Sequence, residues 1–298
     1  MTDIHAWKEN LRQVFPLPLW NDTKDLVGAE KLEEIRVRVN RPVQYVFSDG
    51  ERLSGFLPDE KCCDMLFENI CEHSVYARED ELKNCFVTLA GGYRVGVCGK
   101  AVVEDGSLRR LSHITGFNIR IAREFKGCAS QLVRLMLDKN GDPLSTLLIA
   151  APGVGKTTML RDIARQFSYG GADIKPKKVC IADERSEIAG ARLGVPTLDV
   201  GPRTDVMDGC PKAQAMRMMI RTMSPQLIIT DEIGSEQDAL AVSEAAVSGV
   251  TVVASVHAKD IKEARAKKSV ESMLCGGWFS RLVELTRFEG RVYERLVS

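Results

Sequence analysis

The sequence predicts an α/β chain: a mainly parallel sheet over residues 126–298, preceded by a smaller α+β domain over residues 1–125. Two observations carry that expectation. From residue 146 onward, short apolar runs alternate with helical segments, the pattern of strands buried on both faces. Before residue 125 the runs alternate in polarity and are separated by hairpin signals. A length of 298 residues, 44% of them hydrophobic, is enough for two cores.

The first sixteen residues read as a helix ending before Pro16. Glu34 to Val39 sets charges against Ile35, Val37 and Val39, the period of a half-buried strand. Asn40-Arg41-Pro42 turns the chain into a second strand, Val43 to Phe47, and Ser48-Asp49-Gly50 signals a hairpin. Residues 59–82 look helical. Phe86 to Leu89, Tyr93 to Val103 and Phe117 to Ala122 read as strands, with turns at Gly91-Gly92 and Asp105-Gly106. A connecting helix over 129–138 stops at Asn140-Gly141-Asp142-Pro143. The buried strands of the second region are Thr146 to Ala150, Val179 to Ala182, Leu227 to Thr230 and Val250 to Ser255. Pro211 to Met223 reads as a helix with proline in its first turn.

Lys plus Arg and Asp plus Glu both number 41, so no global positive charge marks a nucleic-acid binder. Nine scattered cysteines lack metal spacing and, with no leader-like start, are expected to be reduced thiols in a cytoplasmic protein. The uncharged run Ala245 to Val256 is too short to cross a bilayer, so no direct membrane span is expected.

Ala150 to Thr158 (AAPGVGKTT) follows the first buried run and opens a helix. It matches the P-loop pattern except that Ala150 replaces the first glycine. Gly153, Val154 and Gly155 would turn backbone N–H groups toward a β-phosphate, and the helix N-terminus adds partial positive charge. Lys156 would bridge β- and γ-phosphates, with Thr157 and Thr158 beside it; Thr157 would place its hydroxyl on Mg²⁺. Leu227 to Thr230 runs into Asp231-Glu232, a Walker B pattern: Asp231 would serve the metal and Glu232 would orient or deprotonate water. Glu184 follows another strand and His257 a fourth. Ligands of open parallel sheets bind beyond the carboxyl ends of the strands, so Lys156, Glu184, Glu232 and His257 are candidates for one catalytic edge. Arg217 and Arg221 share a helix face and could reach phosphate or a neighbouring subunit; a solvated basic face is the alternative.

These motifs, in this order, resemble the secretion and pilus-retraction ATPases of type II and type IV systems. The resemblance implies a RecA-like P-loop domain, an acidic box at Asp183-Glu184 with Glu187, a histidine box at Ser255 to Ala258, and a two-arginine helix. More specific still, Asp183 to Gly190 (DERSEIAG), Asp199 to Val206 (DVGPRTDV), Phe117 to Glu124 and Arg221 to Pro225 resemble the stage III sporulation protein AA family, from about Glu33 to Val283. Gln226 departs from the relatives' usual aspartate. That family implies ATP and Mg²⁺ as ligands and a mother-cell ATPase, cytoplasmic but peripheral at the membrane. It also implies a homo-hexameric ring and an inner-membrane platform-type partner in a channel between mother cell and forespore. The superfamily's N-terminal unit is PAS-like and supplies arginines to the nucleotide. Arg94, Arg120 and Arg123 are the candidates here, with surface arginines on a sheet as the alternative. Two other functions stay open: a nucleic-acid-binding P-loop ATPase, and a nucleotide-binding scaffold with little turnover.

Overall fold

A computed structural model describes residues 4–75, 78–89, 93–104, 107–121, 125–191, 193–288 and 291–297. Contacts divide the chain into two units, Met1–Glu124 and Phe125–Ser298.

The first unit is an antiparallel sheet with helices. Its strands are β1 (Leu32–Arg38), β2 (Gln44–Phe47), β3 (Gly50–Leu53), β4 (Phe86–Thr88), β5 (Arg94–Glu104) and β6 (Ser107–Arg120), in the order β3-β2-β1-β6-β5-β4. The alternation read in β1 is the burial pattern found: Ile35 and Val37 are fully buried. Ser48-Asp49 closes the β2–β3 hairpin, pairing Phe47 with Gly50. Helix α1 (Ile4–Val14) stops before Pro16, and α2 (Leu17–Thr23) follows at once. The helix expected over 59–82 is two: α3 (Glu60–Ile70) and α4 (Glu79–Lys83). Glu72 and His73 both take positive φ, and the His73 N–H closes on the Glu68 carbonyl, which ends α3. Strand β6 begins ten residues earlier than its apolar pattern does, at Ser107 rather than Phe117. The β5–β6 ribbon is largely exposed beyond Cys98, so no apolar face announces it. The turns assigned to Gly91-Gly92 and Asp105-Gly106, and the end of the last strand at Ala122, lie outside the described residues.

The second unit carries β7 (Thr146–Ala150), β8 (Val179–Asp183), β9 (Thr204–Asp208), β10 (Leu227–Thr230), β11 (Thr251–His257), β12 (Arg281–Phe288) and β13 (Arg291–Leu296). The sheet order is β13-β12-β7-β11-β10-β8-β9, parallel except for the antiparallel β12–β13 pair. Strands β7, β8 and β10 are buried along their whole length, as continuous apolar runs require. Along β7, Leu147 and Ile149 enter one core while Leu148 and Ala150 enter the other. Helices α5 (Ser130–Met136), α6 (Lys156–Tyr169), α7 (Lys212–Thr222), α8 (Glu236–Val247), α9 (Ile261–Arg265) and α10 (Lys268–Cys275) complete the unit. Strands β9, β12 and β13 were not expected from the sequence. Charged residues interrupt each of them, and Glu284 of β12 is buried, taking the Ile261 N–H at 2.9 Å and the Arg295 guanidinium. The topology separates the P-loop strand β7 from the acidic strand β10 by one strand, β11, so three strand ends converge.

Candidate nucleotide site

The turn from β7 into α6 is built on two glycines. Gly153 has φ +77° and Gly155 φ +111°, conformations in which a side chain would be strained. Gly155 is the N-cap of α6, so the first-turn N–H groups of a fourteen-residue helix face the loop. The β12–β13 hairpin flanks this turn: Arg287 Nη1 lies 3.5 Å from the Gly153 carbonyl. Thr157 and Thr158 are half-buried in the first turn.

Lys156 is buried, and burial lowers its pKa to about 8. Its ammonium has three protons and three acceptors: the Ala150 carbonyl at 2.8 Å, the Ala151 carbonyl at 2.9 Å and His257 Nδ1 at 2.9 Å. An ammonium accepts nothing, so Nδ1 is the unprotonated nitrogen and Nε2 carries the ring proton. Burial, then the Lys156 charge, lowers the His257 pKa and favours this neutral ring. Nε2 lies 3.2 Å from Glu232 Oε1. The other carboxylate oxygen, Oε2, accepts from Arg185 Nη1 at 2.5 Å. Lys156, His257 and Glu232, from three different strand ends, thus form one chain of contacts ending in Arg185, a residue the sequence reading did not single out by role.

Glu232 follows β10 with φ +39°, and its N–H donates to Ser255 Oγ of β11 at 3.0 Å. Asp231 beside it is buried, and burial raises its pKa to about 6. Its Oδ1 finds no hydrogen-bond donor among the described residues. A buried carboxylate oxygen with no hydrogen-bond donor among the described residues, at the end of a strand two places from the strand that leads into α6, fits a cation-bearing ligand. Mg²⁺ on nucleotide phosphates needs only one or two protein groups, and Thr157 and Asp231 are the groups that would serve it.

The acidic loop after β8 divides its roles. Asp183 is fully buried and accepts from the N–H groups of Glu187 (2.9 Å), Ile188 (3.1 Å) and Ala189 (2.8 Å), which shapes the loop. Arg161 of α6 donates to the Ile188 and Glu187 carbonyls at 2.5 and 2.7 Å, and Ser186 reaches Asp208 at 2.6 Å. Glu184 pairs with Lys212 of α7 at 2.5 Å and is not in the Lys156–His257–Glu232 chain. Arg217 pairs with Glu244 of α8 at 2.7 Å, and Arg221 is exposed at the end of α7. In the first unit, Arg94 stacks on the Phe86 ring at 3.9 Å and Arg120 lies 3.7 Å from Glu34. Arg123 lies outside the described residues. Asp183 and Ser255 carried no signal beyond their place in the acidic and histidine boxes, and Arg161 carried none, because their work is on backbone groups that only the folded chain brings near.

The sequence profile described as "Sporulation stage III, protein AA" matches residues 8–293. "Stage III sporulation protein AA" of Bacillus subtilis (strain 168) is 40% identical over 282 residues, covering 94% of this chain and 91% of that relative. Among solved structures, the Legionella pneumophila ATPase DotB superposes with a TM-score of 0.60 at 15% identity, covering 89% of this chain and 76% of its own. The pilus retraction motor PilT with bound ADP gives 0.59 at 12% identity, covering 99% and 82%. At such identities the likeness concerns the α/β fold with its mixed sheets. The profile match spans both units, from the N-terminal helix to the last strand, and the chain belongs to the sporulation stage III protein AA family.

Proposed function

We propose that this chain hydrolyses ATP as the motor of a secretion-type membrane complex. The observation that carries the reading is the contact chain from the P-loop lysine through His257 to Glu232, with a helix N-terminus at Lys156 and a buried Asp231 next to Glu232 whose Oδ1 has no hydrogen-bond donor among the described residues. The P-loop N–H groups and Lys156 would bind the β- and γ-phosphates, and Glu232 would take the proton of the attacking water. Magnesium, bound through Thr157 and Asp231, would supply Lewis-acid charge on the phosphate oxygens. The family's name and the fold shared with DotB and PilT support the finer reading. In it, a homo-hexamer acts from the mother-cell cytoplasm on a platform-type inner-membrane partner of the sporulation channel. No helix among the described residues is long and apolar enough to cross a membrane, which suits attachment through a partner. The first unit takes the part of the PAS-like domain. Arg94, Arg120 and Arg123 are the candidates within it for charge that strengthens in the transition state, in the same subunit or across a ring.

The test is phosphate release by the purified chain with ATP and magnesium. Lys156→Ala is expected to lose nucleotide binding or turnover, because the phosphate charge loses its fixed counter-charge. Wild-type binding and turnover in that variant would remove the P-loop assignment. Alanine at the three arginines is expected to lower turnover with affinity kept; three fully active variants would leave the first unit without a chemical part.

A further inference from the structure

The two oxygens of Glu232 are held unequally. Oε2 receives the Arg185 guanidinium at 2.5 Å, while Oε1 has the His257 ring nitrogen at 3.2 Å. Arg185 is permanently charged, whereas the imidazole is neutral by the proton count around Lys156. The two partners also depend on different things. His257 is tied through Nδ1 to Lys156, and Lys156 is the group that an incoming γ-phosphate would draw away. Arg185 stands on the loop after β8, which Asp183, Arg161 and Ser186 hold without any help from Lys156. Filling the P-loop therefore disturbs the contact at Oε1 and leaves the contact at Oε2 in place.

We propose that Arg185 is a positioning residue for hydrolysis: it keeps hold of Glu232 Oε2, so that the carboxylate presents Oε1 to the attacking water. The proposal rests on the hydrolytic reading above. In that step the water oxygen bonds to the γ-phosphorus, and the bond to the β,γ-bridging oxygen breaks, its electron pair leaving with ADP. The water proton passes to Oε1. The terminal torsion of a glutamate is broad and roughly two-fold, so a free carboxylate would spend most of its time misdirected. One charged hydrogen bond to Oε2 narrows that range, and β10 and β8 are adjacent strands whose ends bring the pair together.

The experiment compares R185A, R185K and R185Q with the unsubstituted chain of both units. It measures kcat and KM for ATP, affinity for a fluorescent ATP analogue, and the thermal midpoint. R185A is expected to lower kcat about tenfold while KM and analogue affinity stay within about twofold, the signature of an interaction felt in the transition state. R185K is expected to recover a substantial part of kcat, because the contact is a single charged bond rather than a bidentate one, and R185Q to recover less. An unchanged kcat in R185A overturns the proposal. So does a loss of affinity that matches the loss in kcat, which would make Arg185 a phosphate contact. A lowered midpoint with no recovery in R185K also overturns it, since the role is then structural. Absence of turnover in the unsubstituted chain removes the hydrolytic reading and this one together, whereas normal turnover in R185A removes this one alone.

Discussion

Glu232 is constrained at every level of its own structure. Its backbone sits at φ +39°, a left-handed conformation that costs a glutamate on the order of 1 kcal/mol. The Ser255 hydroxyl and the hydrogen bond from Ile233 N–H to the Ser255 carbonyl hold it there, tying the Walker B end to the adjacent strand. The side chain meets His257 of β11 through one oxygen and Arg185, after β8 on the other side of β10, through the other. Strain kept in place by neighbours on both sides suits a group whose direction matters more than its stability contribution. Glu232→Gln is therefore expected to bind an ATP analogue and magnesium normally, since Asp231 remains, and to slow hydrolysis by at least about a hundredfold through loss of the base. Single-turnover phosphate release against analogue affinity reads this directly. A loss of binding in place of turnover would mean that Asp231 and Glu232 have been given each other's work.

At the scale of elements, the P-loop helix must be seated before its N-terminus can be aimed. Asp162 of α6 does much of this seating. Its buried carboxylate accepts from Gly127 N–H (3.0 Å), Ala129 N–H (2.8 Å), Arg165 Nε (2.8 Å) and Gln166 Nε2 (2.8 Å), joining α6 to the start of α5. Burial by itself would raise the carboxyl pKa, but these donors outweigh it and hold the group below its ordinary 3.8. A depressed folded-state pKa stabilises the fold above the unfolded value, and that contribution disappears as pH falls through the folded value. Asp162→Asn turns an amide donor toward N–H groups that need an acceptor, at a cost of about 2–3 kcal/mol near neutral pH. Chemical denaturation of both proteins should show that difference, and should show it shrinking below about pH 3.8 as the wild-type carboxylate is protonated. A difference that does not change with pH would mean the substitution acts through packing.

For the whole molecule, the proposed motor function carries an expectation about assembly. A closed ring repeats one heterologous contact around an axis, and bound nucleotide is the natural trigger where catalytic charge comes from a neighbour. With a non-hydrolysable ATP analogue and magnesium, light scattering is expected to give about 198 kDa, six copies of the 33.0 kDa chain, and less without them. A mass of one chain under both conditions would favour the scaffold reading over the motor.

What the sequence determined by itself is the local and periodic part of this protein. The turn from β7 into α6 was legible because its two glycines stand between an uninterrupted apolar run and a helical segment. Strands β7, β8 and β10 were legible because burial on both faces leaves an uninterrupted apolar run, and β1 because one buried face leaves an alternation. The break at Glu72-His73, the early start of β6 and the strands β9, β12 and β13 were not legible. The first is a backbone turn; β9 and β13 are edge strands; and β12 carries a charge accommodated only by partners the fold supplies, as Glu284 is by Arg295 and the Ile261 N–H. The site divides the same way. Lys156, Asp231, Glu232 and His257 could be read as strand-end residues, but which of them touch was decided by the strand order, which places β11 between β7 and β10 and β8 on the far side of β10. That order brings Arg185 to Glu232 across 47 residues of chain and sends Glu184, its immediate neighbour, to Lys212. Two adjacent residues on a tight loop point different ways, and only the folded loop, shaped by the buried Asp183 carboxylate, decides which one meets Glu232.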